Sequence, residues 1–454
     1  MKKPKKIIQK NLKEKRERKR FKRKNKKFLG SFFNKSNEGS LIKWRTETDH
    51  RIINSHHFSI HEFLNKHGDV NYKPLPSDIV KIPKDFCFEF QSSEVFKTIK
   101  EIRESLISRE IKTLTLDFSK CQMVDFSSLF ILRTILDEYI RDLRKLDKRL
   151  HTLQVEPNVV IKRSSDPEVQ AKLKACQIIT GIIDESKFIP ISAMNFYTGT
   201  KSQSKYAENR KGSVATKIRK YIDGCLREHS TRLTPTEESN IDGIISEILN
   251  NAEDHSDFNT WYSYGNFFQH SAENGEFIGE VNLAFMNFGK SIYNGLLETS
   301  ESNKDQFEVL ERIHDTVKDK DSKNKFTSEN LFTLYALQDG VSRLKYKRSS
   351  RGTGTMTFIN SFLELGDFES KSQNLYPRLI IYSGKTKLKC DNNFKPFKKD
   401  EAFYLSLNDK EDITELPASN HLETIKHEFP GTLITVKLYL NKEHLHNKID
   451  NGNE

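Results

Sequence analysis

Glu247 and Asn251 stand four residues apart in the segment 247–256, Glu-Ile-Leu-Asn-Asn-Ala-Glu-Asp-His-Ser. In a helix this spacing places the two side chains one turn apart on one face, so that both can contact the same ligand. A carboxylate in such a position can accept a proton from water or a hydroxyl, and a carboxamide oxygen can ligate a hard cation such as Mg²⁺. His255 continues the row, either orienting Asn251 or capping the helix end.

The helix that must position this row is predicted from its start signal and its apolar period. Thr234, Pro235 and Glu237 fit an N-cap, a proline at the first helical position and a glutamate three residues after the cap. Apolar residues then recur at helical spacing: Ile241, Ile244, Ile245, Ile248, Leu249 and Ala252. Glu247 and Asn251 border this stripe and would face a cleft. The alternative is an ordinary amphipathic helix whose polar border is solvated.

Three later segments carry further features of a ligand site. Residues 277–288 form an apolar strand pattern that runs into the sequence Asn-Phe-Gly. Residues 351–354, Arg-Gly-Thr-Gly, lead into an apolar run from Met356, and a glycine-rich turn that opens a helix lets backbone N–H groups approach phosphate. Residues 431–440 have the β-branched content of a strand.

Taken in order, these segments resemble the GHKL ATP-binding domain of gyrase, MutL, the heat-shock chaperone, histidine kinases and anti-sigma serine kinases. The resemblance covers residues 205–442 and implies a Bergerat-type α/β sandwich that binds ATP and Mg²⁺. It also implies that residues 293–351 form an unusually long lid over the nucleotide. Residues 443–454 would be a flexible C-terminus.

The resemblance assigns a role to each matching residue. Glu247 would be the catalytic base that polarises the attacking water or hydroxyl, and Asn251 would be the Mg²⁺ ligand. The residues implied to bind the nucleotide are Asn287 at the adenine amino group, Gly289 under the base, Gly352 and Gly354 beside the phosphates, and Thr432 near the adenine.

One departure from the family pattern concerns the adenine end. The family has Asp-x-Gly-x-Gly where this chain has Asn287-Phe-Gly-Lys-Ser, so a carboxylate and a glycine are missing. The oxygen of an Asn side chain still accepts a hydrogen bond, but without the charge that strengthens it. We expect the loss to cost about 1 kcal/mol, which predicts weak nucleotide binding.

An earlier part of the chain predicts a second α/β module. Residues 111–118 alternate as a half-buried strand, and residues 129–143 carry apolar residues at helical spacing. A short strand at 153–155 and a helix capped by Asp166 follow. The strand, the Asp-x-Ser-Ser-Leu turn and the helix resemble a STAS domain, the fold of anti-anti-sigma factors, over residues 76–200.

In that family a GHKL-type serine kinase phosphorylates a serine of this turn, and the matching position is Ser127, with Ser128 beside it. Phosphate at a helix N-terminus would change the surface by nearly two charges. The alternative is that these serines only cap the helix. The predicted fold is therefore a STAS-like mixed α/β domain followed by a GHKL-type α/β sandwich.

The positive charge of the chain is concentrated at its start. Residues 1–30 contain 16 Lys or Arg and two Glu, whereas the remainder contains 59 basic and 61 acidic residues. This composition predicts a disordered basic tail that contacts nucleic acid, another polyanion or an anionic membrane without sequence specificity. A solubilising extension is the alternative, and residues 31–75 would be a linker or N-terminal extension.

Composition also excludes several classes of protein. The five cysteines are scattered and form no Cys-x-x-Cys pair, so neither a disulfide framework nor a zinc site is indicated. No apolar run reaches the roughly 18 residues that span a bilayer, and no secretory signal is present, so we expect a cytoplasmic protein without a transmembrane segment. The Gly-x-x-x-x-Gly-Lys-Ser/Thr loop of P-loop NTPases is missing.

The leading functional hypothesis is a regulatory protein that binds Mg-ATP and closes a lid, with hydrolysis or serine phosphotransfer driven by Glu247 and a STAS-like switch module. One alternative is a non-catalytic, nucleotide-gated module that binds a protein partner through its STAS-like part. Another is a nucleic-acid-associated ATPase recruited by residues 1–30. A homodimer is the candidate assembly.

Overall fold

The computed structural model describes residues 71–108, 111, 113–150, 158–179, 188–200, 206–228, 232–254, 256–271, 277–339, 341, 354–365, 376–399 and 402–441. Contacts divide the chain into two units, residues 1–58 and 59–454, and every described residue belongs to the second unit. The predicted basic tail and the predicted C-terminal segment 443–454 lie outside the described residues.

The first part of the described chain is a mixed α/β arrangement that we call the amino-terminal layer. Its elements are β1 (Ile79–Lys81), β2 (Asp85–Phe86), α1 (Phe88–Ile107), β3 (Thr113–Asp117), β4 (Met123–Val124), α2 (Phe126–Leu150), β5 (Asn158–Lys162) and α3 (Pro167–Ala175). A parallel sheet has the order β1-β3-β5, and β2 pairs with β4. The strand expected at 111–118 and the helix expected at 129–143 are confirmed as β3 and α2, whereas 153–155 lies outside the described residues.

A large antiparallel sheet organises the rest of the chain. Its strands are β6 (Phe188–Ala193), β7 (Tyr197–Thr200), β8 (Ser256–Ser271), β9 (Phe277–Gly289), β10 (Arg378–Asp391) and β13 (Leu422–Asn441). Their order is β10-β13-β9-β8-β6, and β7 also pairs with β8. A separate hairpin joins β11 (Phe397–Lys399) to β12 (Ala402–Tyr404). β6 and β7, which precede the predicted domain boundary at residues 200–205, already belong to the large sheet.

Helices cover one face of the large sheet and form the helix layer. They are α4 (Tyr206–Arg227), α5 (Pro235–Asp254), α6 (Ile292–Leu297), α7 (Lys304–Lys320), α8 (Ser328–Ala336) and α9 (Gly354–Leu365). The stripe predicted on α5 is confirmed, since all six of its apolar residues are buried. Leu310, Val317 and Leu331, from α7 and α8, belong to the same core. The predicted lid, residues 293–351, includes most of α6 and all of α7 and α8, while its residues 340 and 342–351 lie outside the described residues.

The two faces of the large sheet pack against different layers. Alternate side chains of β9 point to opposite faces, as in any strand. The odd-numbered Val281, Leu283 and Phe285 pack in the core of the helix layer. The even-numbered Ala284, Met286 and Phe288 pack in the core of the amino-terminal layer. Across the described ranges, no helix has the length and apolar character needed to span a membrane.

Candidate active site

Two residues of the predicted row, Glu247 and Asn251, lie one turn apart on α5. Both are half-buried, and neither side chain makes a hydrogen bond or ion pair with any residue that the structure describes. Their neighbours on the same helix are engaged, because Lys211 forms an ion pair with Glu253 and donates to Asn250 at 3.0 Å. A carboxylate and a carboxamide are thus held one turn apart on a rigid element and remain available to a ligand.

A second row of side chains crosses four strands of the large sheet. The register joins Trp261 of β8, Asn287 of β9, Thr432 of β13 and Ser383 of β10. Trp261 belongs to the core of the helix layer, as does Phe285, which is two residues before Asn287. The row therefore faces the helix layer, on the side of the sheet where α5 lies.

Asn287 occupies the centre of this row and is only 3 % exposed. Its Nδ2 atom is buried and has no hydrogen-bond partner among the described residues. Leaving a buried N–H group unpaired costs about 1–3 kcal/mol. The amide is therefore prepared for a partner that the described part of the chain does not supply.

The chain connection brings α5 to the same end of the sheet as Asn287. α5 ends at Asp254, and β8 begins at Ser256, which pairs with Gly289. The Ser256 Oγ donates to the Phe288 carbonyl at 2.9 Å. The last turn of α5, which carries Asn251, therefore lies beside the end of β9.

Gly431 is required for the close approach of β13 to Asn287. Its φ is 124°, a conformation that L side chains rarely adopt. A Cβ at this position would lie 2.1 Å from the Asn287 carbonyl oxygen and 2.9 Å from the Phe288 Cα. The Gly-Thr pair that the sequence suggested for a closing strand thus has a steric cause.

Ser383 fixes the turn that follows Gly289. Its Oγ accepts from the Ile292 N–H at 2.9 Å, donates to the Gly431 carbonyl at 3.1 Å, and lies 3.0 Å from the Thr432 Oγ1. The start of α6 is thereby tied to both β10 and β13.

The remaining predicted site residues fall into three groups: in the helix layer, outside the described residues, and on the other face of the sheet. Gly354 is the first residue of α9, which packs against α5, while Gly352 and His255 lie outside the described residues. Ser127 lies in the first turn of α2 and is 5 % exposed. Since α2 packs on the other face of the sheet, the structure does not bring Ser127 together with Glu247.

Sequence reasoning missed Trp261 and Ser383, which no motif marks. The available signal was the apolar run 379–382, a strand pattern directly before Ser383.

Comparison with known proteins adds no further evidence, because the chain matches no protein-family model, no curated protein and no solved structure. The site is therefore defined by its own geometry: a buried amide without a partner on the sheet, opposite a helix that presents a carboxylate and a carboxamide.

Proposed function

We propose that the large sheet and the helix layer bind ATP with Mg²⁺, and that Glu247 drives hydrolysis of the nucleotide or transfer of its phosphate. The observation that carries the proposal is the buried, unpartnered amide of Asn287 on the face covered by α5. The arrangement offers one polar side chain, that of Asn287, for the adenine ring and two, those of Glu247 and Asn251, for the chemistry at the phosphates.

The proposed contact between Asn287 and adenine follows from the hydrogen-bonding chemistry of an amide. The Asn287 Oδ1 can accept from the 6-amino group of adenine while Nδ2 donates to a ring nitrogen, a pairing that Asn makes readily with adenine. Gly289 and Thr432 would lie on either side of the adenine. The missing carboxylate makes the interaction weaker than in the GHKL family, so we expect modest affinity.

The groups that would bind the phosphates and Mg²⁺ lie on α5 and at the start of α9. Asn251 would hold Mg²⁺ through its carboxamide oxygen, and the cation would offset the charge of the phosphates. The N-terminus of α9 at Gly354 would offer backbone N–H groups to phosphate oxygens. Glu247 would accept the proton of the attacking water or hydroxyl.

Hydrolysis is the better supported of the two outcomes within one chain. Ser127 is buried on the opposite face of the sheet from α5. Phosphate transfer to Ser127 would therefore require the amino-terminal layer to leave the sheet.

A nucleotide-gated interaction module is the second candidate function. It is favoured because β9 and β13 place side chains in the cores of both layers. A ligand bound on the helix-layer face would therefore contact strands that also pack against the amino-terminal layer. Recruitment of the ATPase by residues 1–30 stays a prediction, because those residues lie outside the described chain.

The test uses the full-length chain with Mg-ATP, measuring affinity by calorimetry and turnover by phosphate release. Glu247→Gln should lower turnover by roughly 10²- to 10⁴-fold, the usual contribution of a general base, and leave affinity nearly unchanged. Glu253→Gln is the matched control, since Glu253 lies on the same helix but pairs with Lys211; it should retain turnover.

Absence of ATP binding by the wild type would refute the proposal. Binding without turnover, unaffected by Glu247→Gln, would favour the gated module instead. Label on the protein that disappears in Ser127→Ala would identify Ser127 as the acceptor despite its burial.

A further inference from the structure

The orientation of the Asn287 amide is not fixed by any described residue. Asn287 is 3 % exposed, and neither its Oδ1 nor its Nδ2 has a hydrogen-bond partner among the described residues. The terminal torsion of an asparagine is roughly two-fold, so that half a turn exchanges the oxygen and the nitrogen. Asn287 can therefore adopt either orientation without losing a hydrogen bond to the described part of the chain.

A second buried amide shows the contrast. Asn330 is 0 % exposed, and both of its amide atoms are engaged: Oδ1 accepts from the Thr327 N–H at 2.9 Å, and Nδ2 donates to the Thr386 Oγ1 at 3.1 Å. Half a turn of Asn330 would place its NH₂ group against the Thr327 N–H, donor against donor. Burial does not by itself leave an amide free to rotate, whereas the missing partners of Asn287 do.

On one side of Asn287 the row across the sheet continues with the hydroxyl groups of Thr432 and Ser383. Their oxygens are 3.0 Å apart, and either can donate to the other. The Ser383 Oγ can instead donate to the Gly431 carbonyl at 3.1 Å. Because the proton of a hydroxyl group rotates to suit its partners, Thr432 can present either its proton or a lone pair to a ligand.

On the other side the row continues with Trp261, whose buried indole N–H is a donor only. The indole lies over Gly199 of β7, since a Cβ at Gly199 would be 2.5 Å from the Trp261 Nε1. β7 and β9 pair with opposite edges of β8 at Trp261. The indole nitrogen is therefore directed away from Asn287, and the polar groups nearest to a ligand of Asn287 can both donate and accept.

Purine bases offer two complementary edges to such an amide. At position 6 and N1, adenine has a donor amino group and an acceptor nitrogen, whereas guanine and hypoxanthine have an acceptor oxygen and a donor N–H. In one orientation the Asn287 Oδ1 accepts from the 6-amino group and Nδ2 donates to N1. After half a turn Nδ2 donates to O6 and Oδ1 accepts from the N1–H, so each base receives two hydrogen bonds.

We propose that the nucleotide site binds purine nucleotides with a 6-amino group and with a 6-oxo group alike, and that Asn287 contacts position 6 and N1 of both. This inference rests on the proposed function, because it requires the base to lie against Asn287. A site that matches one ligand can reject an analogue that leaves buried polar groups unpaired by about 10⁴- to 10⁵-fold. Rotation of Asn287 leaves no group unpaired with either base, so the discrimination should stay below about ten-fold.

The test measures the affinity of the full-length chain for ATP and ITP by calorimetry in the presence of Mg²⁺. ITP carries hypoxanthine and differs from ATP only at position 6 and N1, so the two ligands are a matched pair for this edge. Their dissociation constants should agree within about ten-fold. 7-deaza-ATP keeps position 6 and N1 but lacks N7, and it should bind as ATP does.

Asn287→Leu tests whether one residue contacts both bases. ATP and ITP should each lose about ten-fold or more in affinity, because each loses its two hydrogen bonds to the amide. Asn294→Leu is the matched control, since Asn294 is an exposed residue of α6 outside the row. That variant should retain both affinities. If Asn287→Leu does not unfold cooperatively, the three ligands still decide the matter on the wild type.

The outcomes separate this inference from the proposed function. Wild-type protein that binds neither nucleotide would refute both. Binding of ATP with much weaker binding of ITP, or a clear loss with 7-deaza-ATP, would overturn the inference and leave the proposed ATP site standing. Similar affinities that Asn287→Leu leaves unchanged, or a loss for ATP alone, would also overturn it, because Asn287 would then not contact both bases.

Discussion

Asn282 and Asn287 lie on the same strand, five residues apart, and face opposite sides of the large sheet. The Asn282 amide donates to the Asn266 Oδ1 at 3.0 Å and to Glu280 at 2.8 Å, whereas Asn287 faces the helix layer with an amide that has no partner among the described residues. Both are almost completely buried. The odd spacing between the residues therefore sends one polar side chain to each layer, and of the two only the Asn287 amide is left for a ligand.

The Asn287 amide gives the first prediction. In Asn287→Leu the buried N–H without a partner is replaced by an apolar group of similar size. The free energy of unfolding should stay the same or rise by about 1 kcal/mol, because an unsatisfied donor is removed. ATP affinity should fall about ten-fold or more, since both hydrogen bonds to the base are lost. Denaturant unfolding and calorimetry measure the two effects.

A clear loss of stability in Asn287→Leu would show that the amide serves the fold rather than a ligand. Unchanged ATP affinity would show that Asn287 does not contact the adenine.

Gly431 gives the second prediction. Gly431→Ala places a Cβ against the Asn287 carbonyl in a backbone conformation that alanine rarely adopts. We expect a loss of more than about 2 kcal/mol in the free energy of unfolding. Gly243→Ala is the matched control, because Gly243 lies within α5 with open space around it. That change should be neutral or should stabilise the helix by up to about 1 kcal/mol. Equal effects of the two substitutions would contradict the prediction.

The elements of the candidate site were predictable where the signals are local. α5 follows from Thr234, Pro235 and a period of 3.6, and β9 follows from an apolar run that ends at a turn. The row that includes Trp261 and Ser383 was not predictable, because it depends on the register between strands far apart in the chain.

The position of Ser127 illustrates the same limit. Its turn was recognised from a local motif, and the helix after it is present as α2. Which face of the large sheet α2 covers is decided by packing between distant segments. The sequence therefore indicated Ser127 and Glu247 separately but could not show that the sheet lies between them.

The buried pair of Asp391 and His421 gives a prediction on pH. Burial alone would raise the pKa of Asp391, but the hydrogen bond and charge of His421, the Asn393 N–H and the charge of Lys389 lower it to about 2. A folded pKa below the unfolded value of about 3.9 stabilises the protein above pH 4, and this contribution disappears as the pH falls from about 4 to about 2. The shift corresponds to about 2.5 kcal/mol.

The measurement is denaturant unfolding between pH 2 and 6 for the wild type and Asp391→Asn. The variant should be less stable at pH 6, and the difference should shrink as the pH approaches 2. A difference that does not change with pH would show that the ionised carboxylate is not the cause.

Residues 1–30 give a prediction that depends on sequence alone. Deleting them removes 16 basic residues and two Glu, and binding to duplex DNA or RNA should fall by at least about ten-fold at low salt. Wild-type binding should weaken steeply with added salt, whereas ATP binding should not change on deletion. Fluorescence anisotropy with two unrelated nucleic-acid sequences measures affinity and specificity together. Full retention of binding after deletion would exclude the tail as the contact.

Asp125 gives the last prediction, because one carboxylate caps two helices. Its oxygens accept from N–H groups at the starts of α1 and α2, and Cys87, the N-cap residue of α1, has no side-chain capping bond of its own. Asp125→Ala should therefore lower the free energy of unfolding by about 2 kcal/mol, the sum of two caps of about 1 kcal/mol each. Asp166→Ala, which removes the cap of α3 alone, should cost about 1 kcal/mol. Denaturant unfolding of both variants gives the comparison, and equal losses would mean that Asp125 stabilises only one of the two helices.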